Sequence, residues 1–300
     1  MKSRLRSLLP WLAVLTVAAG VRLPTVTAGL PYLGYVDEGH VLHHVSYLFV
    51  HHTWEPDTYS YPSLPFYLVA GAALAWSPVY ALTHGHPLLD DLSPSPPEYY
   101  DILEPSTLIV LGRLVTLAFS LGIVLLTGLL VRRLAGAAAG LFAAWLAALV
   151  PALVMRSSVV NVNPLVAFFV VAALLFADQA RTGGHPRRDA ILAGVMAGLA
   201  GATKYPAALV CLAVALAVLL TPVPWLERLR RQTLAGAASI HSLLLAMPAL
   251  ALRTQSVLHG LRDMDSIYGS QEAGSYWGQA VHRAEWDLPT SHPELGIVFL

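Results

Sequence analysis

Apolar residues occur along this chain in long runs that are separated by short polar segments. A run of about 20 apolar residues is long enough to cross a bilayer as a helix. Seven runs predict membrane-spanning helices, at about 8–23, 108–131, 136–155, 163–180, 189–203, 205–222 and 232–252. We interpret the first run as a retained helix rather than a cleaved signal peptide, because further spans follow it.

An eighth apolar run, 62–83, has Pro62, Pro65 and Pro78 within or beside it. Proline interrupts the hydrogen bonds of a helix interior, so this run predicts a broken segment that lies at the membrane interface. With that choice all clusters of basic residues fall on one side, which the positive-inside rule makes cytoplasmic. The clusters are Lys2/Arg4/Arg6, Arg132/Arg133, Arg181/Arg187/Arg188 and Arg228/Arg230/Arg231. The N-terminus is then cytoplasmic, and loops 24–107, 156–162 and 253–294 face outward.

Composition supports a multi-pass protein of the cell membrane. Hydrophobic residues make up 56% of the chain and charged residues only 12%, against about 25% charged residues in soluble proteins. An ordinary soluble enzyme and a disordered chain are excluded. The 18 basic residues balance the 18 acidic ones, so no excess charge is available to bind nucleic acid. One cysteine, Cys211, excludes a disulfide scaffold and a cysteine zinc site.

Two adjacent carboxylates, Asp37 and Glu38, follow the first span. A carboxylate at an apolar rim can have a raised pKa and act as a general base. The alternative interpretation is a helix N-terminus, where acidic residues favour the helix dipole. The spacing of His40, His44, Tyr47 and His51 predicts an amphipathic interfacial helix over this stretch. His40 and His44 could bind zinc together with Asp37 or His51, but we favour polar-face histidines and predict no metal site.

Four isolated cations lie near the predicted outer membrane face: Arg22, Arg113, Arg156 and Lys204. Cations at this depth suit an anionic ligand such as the phosphate of a lipid carrier. They could equally extend to the interface or pair with Asp37 or Glu38. Other candidates are Asn163, which also fits a helix N-cap, Tyr61 in the Tyr61-Pro62 motif, and His282 and Arg283 in the aromatic loop 253–294.

In this order the motifs resemble the GT-C superfamily of glycosyltransferases, near the protein O-mannosyltransferases and the lipid A aminoarabinose transferase. The motifs are Arg22, Asp37-Glu38, Pro62 to Tyr67, Arg113, Pro151 to Pro164, and Gly198 to Tyr205 with Thr203-Lys204. The resemblance implies an all-α transmembrane module and inverting sugar transfer on the outer face. The donor would be a polyprenyl-phosphate sugar, and the acceptor a protein, lipid or glycan. No other cofactor and no divalent metal are expected.

By this resemblance Asp37 is the general base, with Glu38 beside it, and Arg113 and Lys204 hold the donor phosphate. Arg22 and Arg156 are further candidates for that phosphate. The chain departs from its relatives at Asn163, where they often carry an acidic residue, and at Tyr61, where some carry lysine. One carboxylate and one phosphate contact of the family pattern are therefore missing.

We predict one transmembrane module over residues 1–300, with interfacial helices in loop 24–107, a proline-rich insertion at 84–106 and an acceptor-side loop at 253–294. A new apolar run begins at Leu295, so further spans are expected beyond Leu300. A transporter or lipid flippase is the alternative function, and a non-catalytic assembly subunit is a third. A transporter usually keeps polar residues along a midplane path and shows repeat symmetry, whereas the isolated charges here gather at one face.

Overall fold

A computed structural model describes residues 2–92 and 103–269. It divides into two units, residues 1–252 and 253–300. Within the described residues of the first unit the regular structure is helical. Its α-helices are α1 (Lys2–Arg22), α2 (Val36–Val50), α3 (Leu64–His84), α4 (Thr107–Ala135), α5 (Ala137–Leu149), α6 (Pro151–Arg156), α7 (Val162–Thr182), α8 (Pro186–Thr203), α9 (Val210–Leu219), α10 (Trp225–Ala246) and α11 (Ala249–Leu252). Short 3-10 segments lie at Leu23–Thr25, Leu88–Asp91 and Tyr205–Leu209.

All seven predicted spans are helical, although three of them are divided. The run at 136–155 breaks between α5 and α6, where Pro151 begins the second helix. The run at 205–222 starts with the 3-10 turn before α9, and the run at 232–252 breaks at Pro248 between α10 and α11. Proline fits the first turn of a helix but not its interior, which explains these positions.

Helix α3 corrects the prediction of a broken segment at 62–83. It is a continuous helix of 21 residues from Leu64 to His84. Pro62 precedes the helix and Pro65 lies in its first turn, where a proline costs no hydrogen bond. Pro78 alone lies in the interior. The helix is long and apolar enough to cross a membrane.

Four helical segments of the described chain meet the length and hydropathy expected of a membrane span. They are Leu8–Thr25, Leu64–His84, Thr107–Ala135 and Val162–Thr182. Helix α5 and the segment Tyr205–Leu219 are apolar but shorter. The chain is therefore an all-α, multi-pass membrane protein, as the sequence predicted.

Small residues let α8 pack closely against α10. A Cβ atom on Gly194 would lie 2.1 Å from the carbonyl oxygen of Ala235, and one on Gly198 would lie 2.1 Å from Oγ of Ser242. Helix backbones in membranes approach closely at such residues, because lipid offers no hydrophobic drive for association. This tight contact fixes α8, whose C-terminal end carries Lys204.

A second core forms where α2 and α3 pack against the start of α4. Its buried side chains include Leu42, Val45, Phe66, Leu108 and Ile109. Helix α2 forms where the histidine spacing predicted a helix, and its apolar face supplies part of this core, but His44, which was predicted on the polar face, is buried. The packing holds the N-terminal end of α2 close to α4, which positions the acidic pair of the sequence analysis.

The second unit contains α12 (Thr254–Gly269) among the described residues. The sequence predicted a loop over 253–294, and the helix corrects the first part of that prediction. Val257, Leu261 and Met264 recur at three- and four-residue intervals along this stretch, and such spacing is typical of an amphipathic helix. The helical spacing is confined to the start of the predicted loop, and the aromatic and charged residues that follow do not share it.

Candidate active site

A buried ion pair joins α2 to α4. Arg113 donates from Nε to Oε1 of Glu38 at 2.7 Å and from Nη2 to Oε2 at 2.9 Å. Both side chains are almost fully buried, with 2% and 0% of their surface exposed. A bidentate arginine–carboxylate pair is strong and fixes the orientation of both groups.

The backbone completes the hydrogen bonds of Glu38. The amide of Gly34 donates to Oε2 at 2.8 Å, and the amide of Val160 donates to Oε1 at 3.0 Å. Val160 comes this close because Gly112 of α4 lacks a side chain; a Cβ there would lie 2.7 Å from Cγ2 of Val160. Glu38 therefore has partners on both oxygens, and it ties the 156–162 loop to α2.

The third guanidinium nitrogen of Arg113 also donates hydrogen bonds within the protein. Nη1 donates to the carbonyl oxygens of Val26 at 3.0 Å and Ala28 at 2.7 Å. The family resemblance implies that Arg113 holds the donor phosphate, but its guanidinium faces Glu38 and the chain after α1. The geometry favours a positioning function for this arginine.

Arg22 has comparable surroundings. It is fully buried and donates to the carbonyl oxygens of Ala18, Ala147 and Ala148 at 2.9, 3.3 and 2.7 Å. Its Nε donates to Oγ of Ser120 at 3.2 Å. The last carbonyls of a helix lack intrahelical partners, and Arg22 satisfies two of them at the end of α5. The guanidinium predicted for phosphate binding thus joins α1, α4 and α5.

Asp37 differs from its neighbour because it stays partly exposed. It lies in the first turn of α2, and its Oδ2 accepts a hydrogen bond from Nδ2 of Asn161 at 3.1 Å. Burial raises the pKa of Asp37, while the charges of Arg156 and Lys204 lower it in part. A partly desolvated carboxylate that a ligand can reach is suited to accept a proton.

Arg156 and Lys204 are the two cations that act on Asp37. Arg156 ends α6, and its guanidinium carbon lies 4.8 Å from the ring centroid of Tyr35. Lys204 follows α8, and its Nζ donates to Oδ1 of Asn163 at 3.3 Å. Arg156 is exposed and Lys204 is partly exposed, so both keep donors available for a ligand.

Asn161 rather than Asn163 caps α7. Its Oδ1 accepts a hydrogen bond from the amide of Asn163 at 2.8 Å, which is the bond that an N-cap asparagine makes. The same side chain donates to Asp37 from its other end. The sequence offered two asparagines near the start of the apolar run at 163–180, and only Asn163, directly before Pro164, was predicted as the cap.

His40 and Tyr61 lie together one turn beyond Asp37. The ring centroid of His40 is 5.1 Å from that of Tyr61 and 4.4 Å from that of His44. Burial, followed by the charges of His44 and His43, lowers the pKa of His40 to about 4. The neutral His40 ring packs against Tyr61. Where some relatives carry a lysine, this chain therefore has an uncharged aromatic contact instead of a cation.

Asp57 was not singled out from the sequence. It lies in the loop after α2 and pairs with His43 and His44. Burial raises the pKa of Asp57, but the hydrogen bond from His44 and the charges of both histidines outweigh burial and hold it at about 2. His282 and Arg283 lie outside the described residues.

The chemistry of this end of the protein follows from the unequal surroundings of its charges. Glu38, Arg113 and Arg22 are buried and bonded within the protein. Asp37, Arg156 and Lys204 remain accessible at the same place. One carboxylate beside two cations can take a proton from a nucleophile while the cations neutralise an anionic leaving group.

Comparison with known families adds an independent finding. Residues 107–251 match the family model described as dolichyl-phosphate-mannose-protein mannosyltransferase, and no match is found among curated proteins. The matched segment contains Arg113, Arg156 and Lys204, and hydrogen bonds hold Glu38 and Asp37 against it. Residues 107–251, just under half of the chain, are therefore similar to the dolichyl-phosphate-mannose-protein mannosyltransferase family, membrane glycosyltransferases of the GT-C type.

Proposed function

We propose that this protein transfers a sugar from a polyprenyl-phosphate donor to a hydroxyl or amine acceptor, with inversion at the anomeric carbon and Asp37 as the general base. The observation that carries the proposal is the accessible Asp37 carboxylate, held by Asn161 within the electrostatic reach of Arg156 and Lys204. The family of residues 107–251 supports the reaction class.

In the proposed reaction the acceptor oxygen or nitrogen attacks the anomeric carbon, and the bond from that carbon to the phosphate oxygen breaks. Asp37 takes the acceptor proton. The polyprenyl phosphate leaves as an anion, and its growing charge is stabilised by Arg156 and Lys204. Glu38 takes no part in proton transfer, because the bond from Arg113 keeps its carboxylate turned away from a ligand.

This assignment changes which cations bind phosphate. The two buried arginines, Arg22 and Arg113, already donate to protein oxygens. Moving either to a phosphate would leave buried carbonyls or Glu38 without a donor, which costs free energy. Arg156 and Lys204 lose no more than a ring contact and one long hydrogen bond. We therefore assign the phosphate to these two.

The name of the matched family includes a dolichyl-phosphate-mannose donor, and we take mannose as the first sugar to test. We also propose that the N-terminus is cytoplasmic and that Asp37 faces the outer side. The basic clusters at 132–133, 181–188 and 228–231 fall on the cytoplasmic side in this orientation if α3 lies along the outer membrane interface, and we propose that placement for α3. A lipid-linked donor explains why the accessible charges lie beside apolar helices.

Deletion of the full-length gene tests the proposed reaction without knowledge of the acceptor. We expect one polyprenyl-phosphate sugar to accumulate in the membrane lipids of the deletion strain. The wild-type gene should remove this lipid, and a gene encoding Asp37→Asn should not. Unchanged lipid-linked sugars in the deletion strain would contradict the donor class, and the identity of an accumulated sugar would fix the substrate.

Removal of either accessible cation should slow transfer. We expect Arg156→Gln and Lys204→Gln each to lower kcat/KM for the lipid donor about 100-fold, the usual loss when one donor to a developing anion is removed. Arg132→Gln is the matched control, because Arg132 is an exposed arginine at the far end of α4. Equal activity of the control and the two variants would remove Arg156 and Lys204 from the phosphate site.

The rate should also depend on pH through Asp37. Burial raises the pKa of this carboxyl, so we expect kcat/KM to fall on acidification with a midpoint above the ordinary aspartate value of 3.8. Arg156 and Lys204 lower the same pKa, so Arg156→Gln and Lys204→Gln should move the midpoint to higher pH. The measurement is the pH profile of transfer for the three proteins. A shift to lower pH in these variants would contradict the assignment.

A further inference from the structure

Two consecutive histidines of α2 reach one carboxylate of the following loop. Nδ1 of His44 is hydrogen-bonded to Oδ1 of Asp57. Nε2 of His43 lies 3.4 Å from Oδ2 of the same residue. Each carboxylate oxygen thus faces one imidazole nitrogen, and the three side chains form a cluster beside the middle of α2, about two turns beyond Asp37.

The three side chains lie close to the spacing that a metal ion needs. One ligand atom from each lies within 4.8 Å of the others. Ligands of a tetrahedral zinc ion, bound at about 2.0–2.2 Å, lie roughly 3.3 Å from one another. The widest separation therefore has to close by roughly 1.5 Å at most, which small side-chain rotations can provide.

The ligand set and its exposure point to a particular class of ion. Two imidazoles with one carboxylate favour zinc and similar transition metals, whereas magnesium and calcium prefer oxygen ligands alone. The His44 side chain is 8% exposed, but His43 is 37% and Asp57 31% exposed. The buried histidine anchors the cluster, and the exposed side leaves a path for an ion and a fourth position for water.

We propose that His43, His44 and Asp57 form a binding site for a divalent transition metal ion of the zinc class. The site is separate from the proposed base, since His44 follows Asp37 by seven residues, or about 10 Å along the helix. A bound ion would tie the loop after α2 to that helix. The same loop accepts a hydrogen bond from Tyr205, whose OH donates to the carbonyl oxygen of Tyr59 at 2.8 Å. The ion would thereby brace the segment that connects α2 to the residues beside Lys204.

This site differs from the one that the histidine spacing suggested. That hypothesis joined His40 and His44 to Asp37 or His51. In the structure His40 packs its ring against Tyr61, and the carboxylate comes from Asp57, thirteen residues after His44. Only the return of the loop onto α2 brings the carboxylate to the histidines.

Zinc titration of the detergent-purified protein tests the proposal. The protein should carry no polyhistidine tag and should be stripped with a chelator before calorimetry. We expect one Zn²⁺ per chain, no competition from equimolar Mg²⁺, and at least about 100-fold weaker binding in His43→Gln and Asp57→Asn. His86→Gln is the matched control, because His86 lies 3.5 Å from Asp91 and, within the described residues, is the one histidine paired with that carboxylate.

The outcomes separate a metal site from a hydrogen-bonded cluster. Absence of stoichiometric Zn²⁺ binding by the wild type, or wild-type affinity in both ligand variants, would overturn the proposal. So would an equal loss in His86→Gln. His43→Gln changes a partly exposed side chain, and its metal-free unfolding temperature checks that it folds. Binding is measured without sugar transfer, so failure of this proposal and failure of the proposed reaction are distinguishable.

Discussion

Asp37→Asn should reduce sugar transfer by about 1,000-fold or more while the protein still folds and inserts into the membrane. A general base contributes about 100- to 10,000-fold to a reaction rate. The amide cannot take the acceptor proton, but it has nearly the same shape as the carboxylate. Its oxygen can still accept the hydrogen bond from Asn161 that Asp37 Oδ2 accepts at 3.1 Å. The expected loss is therefore one of chemistry rather than of structure.

The measurement is transfer of radiolabelled sugar from the polyprenyl-phosphate donor that the gene deletion identifies. Asp90→Asn is the matched control, because Asp90 is an exposed aspartate in the 3-10 turn Leu88–Asp91. The control should keep wild-type activity, and both variants should keep the wild-type unfolding temperature in detergent. Transfer by Asp37→Asn at the wild-type rate would exclude Asp37 as the base.

The helices and one part of the site could be predicted from the sequence, and both predictions have the same physical reason. Long apolar runs have few structural solutions in lipid, because every backbone polar group must be satisfied within the segment. Against such a background an isolated charge is conspicuous. Asp37, Arg156 and Lys204 were therefore found as candidates, and the structure gathers them at one end of the helices.

The partners of the two buried arginines, Arg22 and Arg113, were harder to predict from the sequence. An unusual cation near a membrane either binds a ligand or pairs within the protein, and the sequence left both possibilities open for Arg22 and Arg113. Their partners include backbone carbonyls at Val26, Ala28 and Ala148. Carbonyl groups occur at every residue and leave no mark in a sequence, so the choice depends on tertiary packing.

Loop residues were the hardest to foresee. Asp57 and Asn161 are ordinary polar residues in segments without helical periodicity. Their importance comes from where the chain returns: Asp57 to the histidines of α2, and Asn161 to Asp37. The need for glycine at position 112 could not be predicted from the sequence either. Glycine is required there because Val160 approaches the backbone of α4 closely.

The second large effect should be on stability. Arg113→Met is expected to lower the free energy of unfolding by about 3–5 kcal/mol, because it leaves a fully buried Glu38 without its cation. The readout is the unfolding midpoint in detergent micelles together with the yield of folded protein. Arg132→Met, an exposed change at the other end of the same helix, should alter the free energy by no more than about 0.5 kcal/mol.

The double variant Glu38→Gln/Arg113→Met separates pairing from phosphate binding. Glu38→Gln alone leaves the buried charge of Arg113 without its carboxylate. It should lower the free energy of unfolding by nearly as much as Arg113→Met. With both charges removed neither is unpaired, so the double variant should be destabilised by about 2–3 kcal/mol less than the sum of the single changes. It should stay below the wild type, because Val26 and Ala28 lose their donor. If Arg113 instead held the lipid phosphate, Arg113→Met would slow transfer with an unchanged unfolding midpoint, and the two single changes would be additive.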